Sequence, residues 1–147
     1  MNEISIRVVG IPAAQGSKTL TRYGAMMESS KKVKPWRKNV EKAALECYDS
    51  GAINFPVKVE IEFMFPRPIS HYRTGQFAHL LKDSAPKHCI SRINGDIDKL
   101  SRSTLDGLSV SAGGSVLEDD CLAVELCARK RYVKKDELPG AYIAISS

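Results

Sequence analysis

The chain alternates between two hydrophobic periods. Residues 3–10 repeat every second position, with Ile4, Ile6 and Val8 on one side and Ser5 and Arg7 on the other, which predicts a strand. "VKVEIEFMF", residues 57–65, is the clearest strand: Val57, Val59, Ile61, Phe63 and Phe65 share a face, and Lys58, Glu60 and Glu62 point away. Residues 35–48 switch to a helical period. Trp36, Val40, Ala43, Ala44 and Cys47 form one stripe, Pro35 suits the first helical position, and Asp49-Ser50-Gly51 stops the run. A second helix is predicted over 97–108, with Ile97, Leu100, Thr104, Leu105 and Leu108 buried. "SAGG" then turns the chain. Residues 121–133 alternate again, placing Leu122, Val124, Leu126 and Ala128 inward and Arg129 and Arg131 on the opposite face. A last strand over 141–146 follows the Pro139-Gly140 turn.

Between the clearest strand and the second helix, residues 66–95 carry three prolines and no sustained period. That is long for a loop. It either holds a short helix near Phe77–Leu81 or faces substrate as a mobile segment. The order β-α-β-α-β-β predicts an α/β (α+β) fold, a mixed sheet of about four strands with two helices. A single domain over residues 1–147 is expected.

Composition narrows the class only slightly. Hydrophobic residues make up 43% and charged residues 27%, ordinary for a soluble globular protein. No apolar run reaches membrane-spanning length, and the opening segment reads as a strand and not a signal peptide. A cytoplasmic setting is therefore expected. Cys47, Cys89, Cys121 and Cys127 form no C-x-x-C pair, which argues against structural zinc. Cys121 and Cys127 on one strand would sit about 20 Å apart, so all four read as reduced thiols. His71, His79, His88 and the neighbouring Cys89 read as solvated loop residues.

Charge changes the picture more. The net charge is +5, and eleven of the 22 basic residues fall in two stretches. One supplies Lys31, Lys32, Lys34, Arg37, Lys38 and Lys42; the other supplies Arg129, Lys130, Arg131, Lys134 and Lys135. An anionic partner is implied. Between the two stretches lies a concentration of carboxylates: Asp96, Asp98 and Asp106, then Glu118, Asp119 and Asp120.

Two familiar motifs fail. "GIPAAQGSKT", Gly10–Thr19, resembles a phosphate-binding loop, but five residues separate its glycines and no helix start follows. A nucleotide cofactor is not expected, and Lys18 is left as a candidate DNA-phosphate contact. A calcium loop from Asp96 would need glycine where Ser101 stands. The carboxylates themselves have ordinary explanations. Asp96 suits a helix cap, Asp98 suits the first turn, and Asp106 can pair with Arg102 four residues back. Asp98, Arg102 and Asp106 also step along one polar face of the helix, about 40° apart. If the head of the following strand lies beside the helix start, Asp96, Asp98 and Asp120 converge. Such a cluster is costly without a counter-charge, and its all-oxygen donors suit Mg²⁺ or Mn²⁺.

"DIDKLSRSTLDGL…LEDDCLAVELCARKRY" resembles the RusA-like family of Holliday junction resolvases, common in phages and prophages. The family pattern is roughly D-x-D-N-L-x-K-x-x-x-D-A-L, a turn, a D-D pair, a hydrophobic strand and basic residues. "IP…QGSK" after the first strand and the basic helix follow in the family's order. "SHYRTG…HLLKDSAP" is similar to the long loop of actinobacterial phage members. The resemblance implies an αβ, homodimeric, Mg²⁺-dependent endodeoxyribonuclease that resolves four-way DNA junctions by paired symmetric nicks, in recombination, repair or phage DNA processing. It implies Asp96, Asp98 and Asp120 as metal-binding catalytic residues, with Asp106 and Asp119 as accessory acidic positions. The family's helix lysine falls on Arg102, which stays protonated and is a poor proton donor. Lys99 stands where asparagine is common, Gly95 where proline is common, and Gly107 where alanine is usual. Lys18, Lys31, Lys32, Lys34, Arg37, Lys38, Arg129 and Arg131 are the candidate DNA contacts. The competing expectation is a protein that binds branched DNA without cutting it.

Overall fold

The computed structural model describes residues 1–16, 18–20, 26–28 and 31–147, with backbone alone at 18–20 and 26–28. The strands are β1 (Ile4–Val9), β2 (Lys18–Leu20), β3 (Met26–Glu28), β4 (Val57–Phe65), β5 (Ala123–Tyr132) and β6 (Gly140–Ser146). The helices are α1 (Val33–Cys47) and α2 (Ile97–Leu108). The main sheet has the order β1-β6-β4-β5. β6 pairs antiparallel with both β1 and β4, whereas β5 pairs parallel with β4. The sheet is therefore mixed, and the expected four strands and two helices are all present. The small antiparallel β2–β3 pair has no periodic signal in the sequence.

Both helices cover one face of this sheet. Ile4, Ile6 and Val8 of β1, the odd positions of β4, and Ala141, Ile143 and Ile145 of β6 meet Trp36, Val40, Leu100 and Leu108 in one core. α1 begins two residues earlier than expected, and Val33 joins Trp36, Val40 and Ala44 on its buried stripe; Cys47 is exposed. α2 spans the expected residues and buries Leu100, Thr104 and Leu108 as expected, together with Ser101, Ser103 and Gly107; Ile97, expected inside, is 37% exposed in the first turn, and Leu105 is half-buried. Polar groups within it are satisfied locally. The Ser103 hydroxyl donates to the Ala13 carbonyl at 2.6 Å, and Trp36 Nε1 donates to Thr104 Oγ1 at 3.1 Å. Gly107 is where the helices touch: a Cβ there would lie 2.9 Å from Val40 Cβ and 3.0 Å from the Arg37 carbonyl oxygen.

β5 differs from its expectation. Val124 is 71% exposed and Leu126 is 45% exposed. β5 is an edge strand, and its pairing with β4 slips between Val57 and Lys58, so Val124 falls out of the expected phase while Leu126 and Ala128 keep it. Leu126, Ala128, Lys130 and Tyr132 oppose the core-facing residues of β4, while Arg129 and Arg131 oppose Glu62 and Met64. The opposite-face placement of the two arginines is as expected.

Residues 66–95 form three 3₁₀ turns, Ile69–His71, Gly75–Phe77 and Arg92–Asn94, and an isolated antiparallel bridge between Tyr72 and Leu81. The short helix that was one expectation near Phe77–Leu81 is not formed: the 3₁₀ turn ends at Phe77, and Leu81 enters the bridge with Tyr72. Cys89 is buried, unlike the solvated loop cysteine expected, and its thiol lies 3.2 Å from Asn94 Oδ1. Burial pushes that thiol's pKa up. All four cysteines are free thiols, as expected.

Candidate active site

α2 and β5 carry the carboxylates, and they run in opposite directions past each other. Near the start of α2, Lys130 from the far end of β5 donates to the Gly95 carbonyl at 2.9 Å. Near the head of β5, Asp120 feels the charges of Arg102 and Asp106 from the later turns of α2. Asp120 thus faces residues four and eight beyond Asp98, about 6 and 12 Å along the helix; the head of β5 does not lie beside the helix start, and the expected convergence of Asp96, Asp98 and Asp120 is not formed.

Asp119 and Asp120 open a 3₁₀ turn over Asp120–Leu122. Asp119 caps it by accepting the Cys121 amide at 2.9 Å. The pair shares a hydrogen bond, and the two carboxyls separate. The Cys121 amide, foremost, and the bond from Asp120 hold Asp119 below the usual carboxylate range. The bond to Asp119, partial burial and the like charges of Asp119 and Asp106 push Asp120 above it; Arg102 offsets part of this. Three carboxylates around one arginine make a locally anionic patch on a basic protein.

Asp96 occupies the α2 cap position with extended backbone, yet its side chain makes no capping bond. Its carboxylate is 73% exposed and lies 3.8 Å from Lys99 Nζ. Asp98 is exposed in the first turn. A capping role would have turned Asp96 onto the helix amides, so its outward carboxylate is left available to another partner. Gly95 shapes this entry. Its φ is +89°, and a Cβ there would approach Ala14 Cβ to 2.6 Å. Proline, the family's common residue at this position, cannot adopt that φ.

The basic stretch of α1 lies across α2 from this patch. Arg37 pairs with Asp106 at 3.1 Å and also donates to the Gln15 side chain. Asp106 therefore takes Arg37 as its partner. Lys34 and Lys38 flank the same crevice, a cavity of about 180 Å³ bounded by Asp106 and Gly107. Lys31 and Lys32 are exposed immediately before α1. The side chain of Lys18 lies outside the described residues. Arg131 is held by Glu62 and by a two-point pair with Glu137 (2.6 and 2.9 Å), and its pKa is raised by these partners. Arg129 is exposed on the helix-free face, where it lines a shallow depression with Arg7, Glu60 and Tyr142.

Asp119, Asp120, Asp106 and Arg102 are thus grouped, and Arg37, Lys34 and Lys38 stand beside them. Asp98 continues the same polar face toward the helix start, and Asp96 sits apart from it at the cap, beside Lys99. Among the described residues, no three His, Cys, Asp or Glu side chains already form a cage for a metal ion. The sequence marks Lys130 only as part of the basic stretch; alternation does place it on the side of Leu126 and Ala128, but its contact with the Gly95 carbonyl depends on tertiary packing.

A scan against protein families matches residues 10–146 to one of them, described as endodeoxyribonuclease RusA. The chain belongs to the RusA endodeoxyribonuclease family. The match spans the loop after β1, the basic helix, both carboxylate-bearing elements and the last strand. Membership makes the protein a structure-selective endodeoxyribonuclease acting on branched DNA, a junction resolvase of a generally divalent-metal-dependent kind. No curated protein matches the chain. Among the described residues, no helix is long and apolar enough to cross a membrane.

Proposed function

We propose that this RusA-family chain resolves four-way DNA junctions by paired symmetric nicks, using Mg²⁺, with Mn²⁺ as a substitute, held by Asp96, Asp98 and Asp120. The single observation that carries this reading is the family match over residues 10–146, which takes in both carboxylate-bearing elements; the crowding of Asp120 by Asp119 and Asp106 where α2 passes the head of β5 agrees with it. A hard divalent cation relieves that repulsion, and an all-oxygen donor set suits it. When bound, the ion would activate a water and stabilise charge on the phosphate. Asp96 and Asp98 are exposed at the start of α2, and it is the family's D-x-D pattern falling on them that assigns them to the ion. Arg102, placed beside Asp120, steadies the phosphate as a fixed positive charge and holds its own proton. Lys99 and Asp106 support the charge balance, through contacts to Asp96 and Arg37 respectively.

Lys31, Lys32, Lys34 and Lys38 are exposed beside this face and supply phosphate contacts on the DNA. Arg37 serves the fold first, through Asp106 and Gln15, and Arg131 does so through Glu62 and Glu137. Arg129 remains an exposed cation on the opposite sheet face. A homodimer would present two active sites to a two-fold substrate. Incubating end-labelled four-way junction with the protein and Mg²⁺ should release paired nicked duplexes bearing 5′-phosphates. Junction binding without nicks in either Mg²⁺ or Mn²⁺ would instead favour a branched-DNA-binding protein that does not cut.

A further inference from the structure

Residues 66–95 stand out on three counts. They carry Arg67, Arg73, Lys82, Lys87 and Arg92 against one carboxylate, Asp83, so these thirty residues hold a net charge of +4 in a chain of net +5. They expose large apolar side chains: Ile69 is 91% accessible, and Phe77, Leu80 and Leu81 lie on the surface of the tip. Both ends are also pinned. At one end Arg67 stacks over Tyr132 at 4.4 Å and donates to the Pro86 carbonyl at 2.7 Å, while His71 meets the Tyr132 ring edge-on at 5.4 Å. At the other end Lys130 holds Gly95, the residue before Asp96. Between these anchors the chain makes a hairpin. Arg73 N–H donates to Leu80, Lys82 N–H donates to His71, and Tyr72 bridges Leu81.

We infer that this segment is a DNA-gripping arm, which holds the duplex flanking the cut by its phosphates. The inference rests on the junction-nuclease reading of the site and adds a contact surface to it. Lys82, Lys87 and Arg92 are exposed, and no ion pair joins them among the described residues. Arg73 has only a loose pair with exposed Asp83, at 3.7 Å. Cations left in water in this way bind phosphates by releasing counterions. The tip's Phe77 and Leu80 supply apolar contact with sugars and bases, a pairing that nucleic-acid surfaces reuse. A second copy of the chain is the weaker occupant, because two arms of net charge +4 repel. The arm runs directly into the Asp96 turn, so whatever DNA it grips lies next to the proposed metal site.

Two variants test this by equilibrium binding to a four-way junction across a salt series. In the first, residues 73–80 are replaced by Asn-Gly, a two-residue turn that can close the Tyr72–Leu81 bridge. In the second, Lys82, Lys87 and Arg92 become alanine with the backbone intact. The alanine variant should lower the slope of log affinity against log salt by roughly three, about one for each lost phosphate contact. Both variants should weaken junction binding tenfold or more at moderate salt, with thermal midpoints near wild type. Unchanged affinity and slope in the alanine variant, with wild type binding normally, overturns the arm and leaves the nuclease reading standing. Wild-type protein that fails to bind a junction overturns both. A shift in oligomeric state with an unchanged salt slope makes the segment a protein interface, and that also overturns the inference.

Discussion

At the scale of single residues, the carboxylates do different work according to their partners. Asp106 pairs with Arg37, Asp119 accepts the Cys121 amide and keeps its charge, and Asp96 is only loosely paired with Lys99. Asp98→Asn removes a proposed metal oxygen from an exposed first turn, where the fold has little at stake. It should reduce junction cleavage by on the order of 100-fold or more while junction binding persists, as read by labelled-substrate cleavage beside a binding assay. Lys130 acts at one remove, through the Gly95 carbonyl. Lys130→Met should raise the Mg²⁺ concentration for half-maximal cleavage about tenfold, with Lys130→Arg recovering part of it. A metal titration giving the wild-type midpoint for both variants would leave Lys130 with a packing role only. Glu137 gives the pH prediction. Its two-point bond with Arg131 holds its pKa down to about 2, against an ordinary 4.5. The depressed folded-state value means the stabilisation is complete above pH 4.5 and is lost as pH falls toward 2. Urea midpoints should drop more steeply over that window in wild type than in Glu137→Gln, and the variant should be less stable by about 2 kcal/mol at neutral pH.

At the scale of elements, the bounds of α2 and most of its buried stripe were legible and the facing of β5 was not, and the reason is physical. α2 buries a continuous stripe against a sheet, so its 3.6-residue period survives in the sequence and its bounds follow. β4 is central and buried along one whole face, so its alternation is clean. β5 is an edge strand with a register slip, so Val124 falls out of phase and Leu126, though on the core side, stays 45% exposed. The parallel pairing of β5 with β4 left no trace in either strand's own pattern. Of the site, the carboxylate positions were readable. The direction in which α2 passes β5, and hence which of them face one another, depends on tertiary packing. Gly107 looked like a weak point in a helix, yet it is the crossing point with α1. Gly107→Ala should gain up to about 1 kcal/mol of helix propensity and lose about 1–3 kcal/mol to overpacking against the fixed Arg37 carbonyl. A net fall in thermal midpoint is therefore expected; a rise would show that the helices can separate at low cost.

At the scale of the whole molecule, the charges are segregated in a way that suits a nuclease. The acidic face of α2 and the head of β5 stand between the basic side of α1 and the basic arm that leads into Asp96. DNA drawn in by either basic surface passes the carboxylates, and a divalent ion turns the repulsion there into attraction. Junction affinity should accordingly fall steeply with salt, and Asp120→Asn should raise binding in the absence of metal while lowering cleavage in its presence, a split that a stability defect would not produce. The central claim concerns which oxygens hold the ion. An anomalous difference map from crystals soaked in Mn²⁺ reads this directly: the account predicts a peak coordinated by Asp96, Asp98 and Asp120, and a peak held by Asp106 and Asp119 with Asp96 and Asp98 still turned to solvent would contradict it.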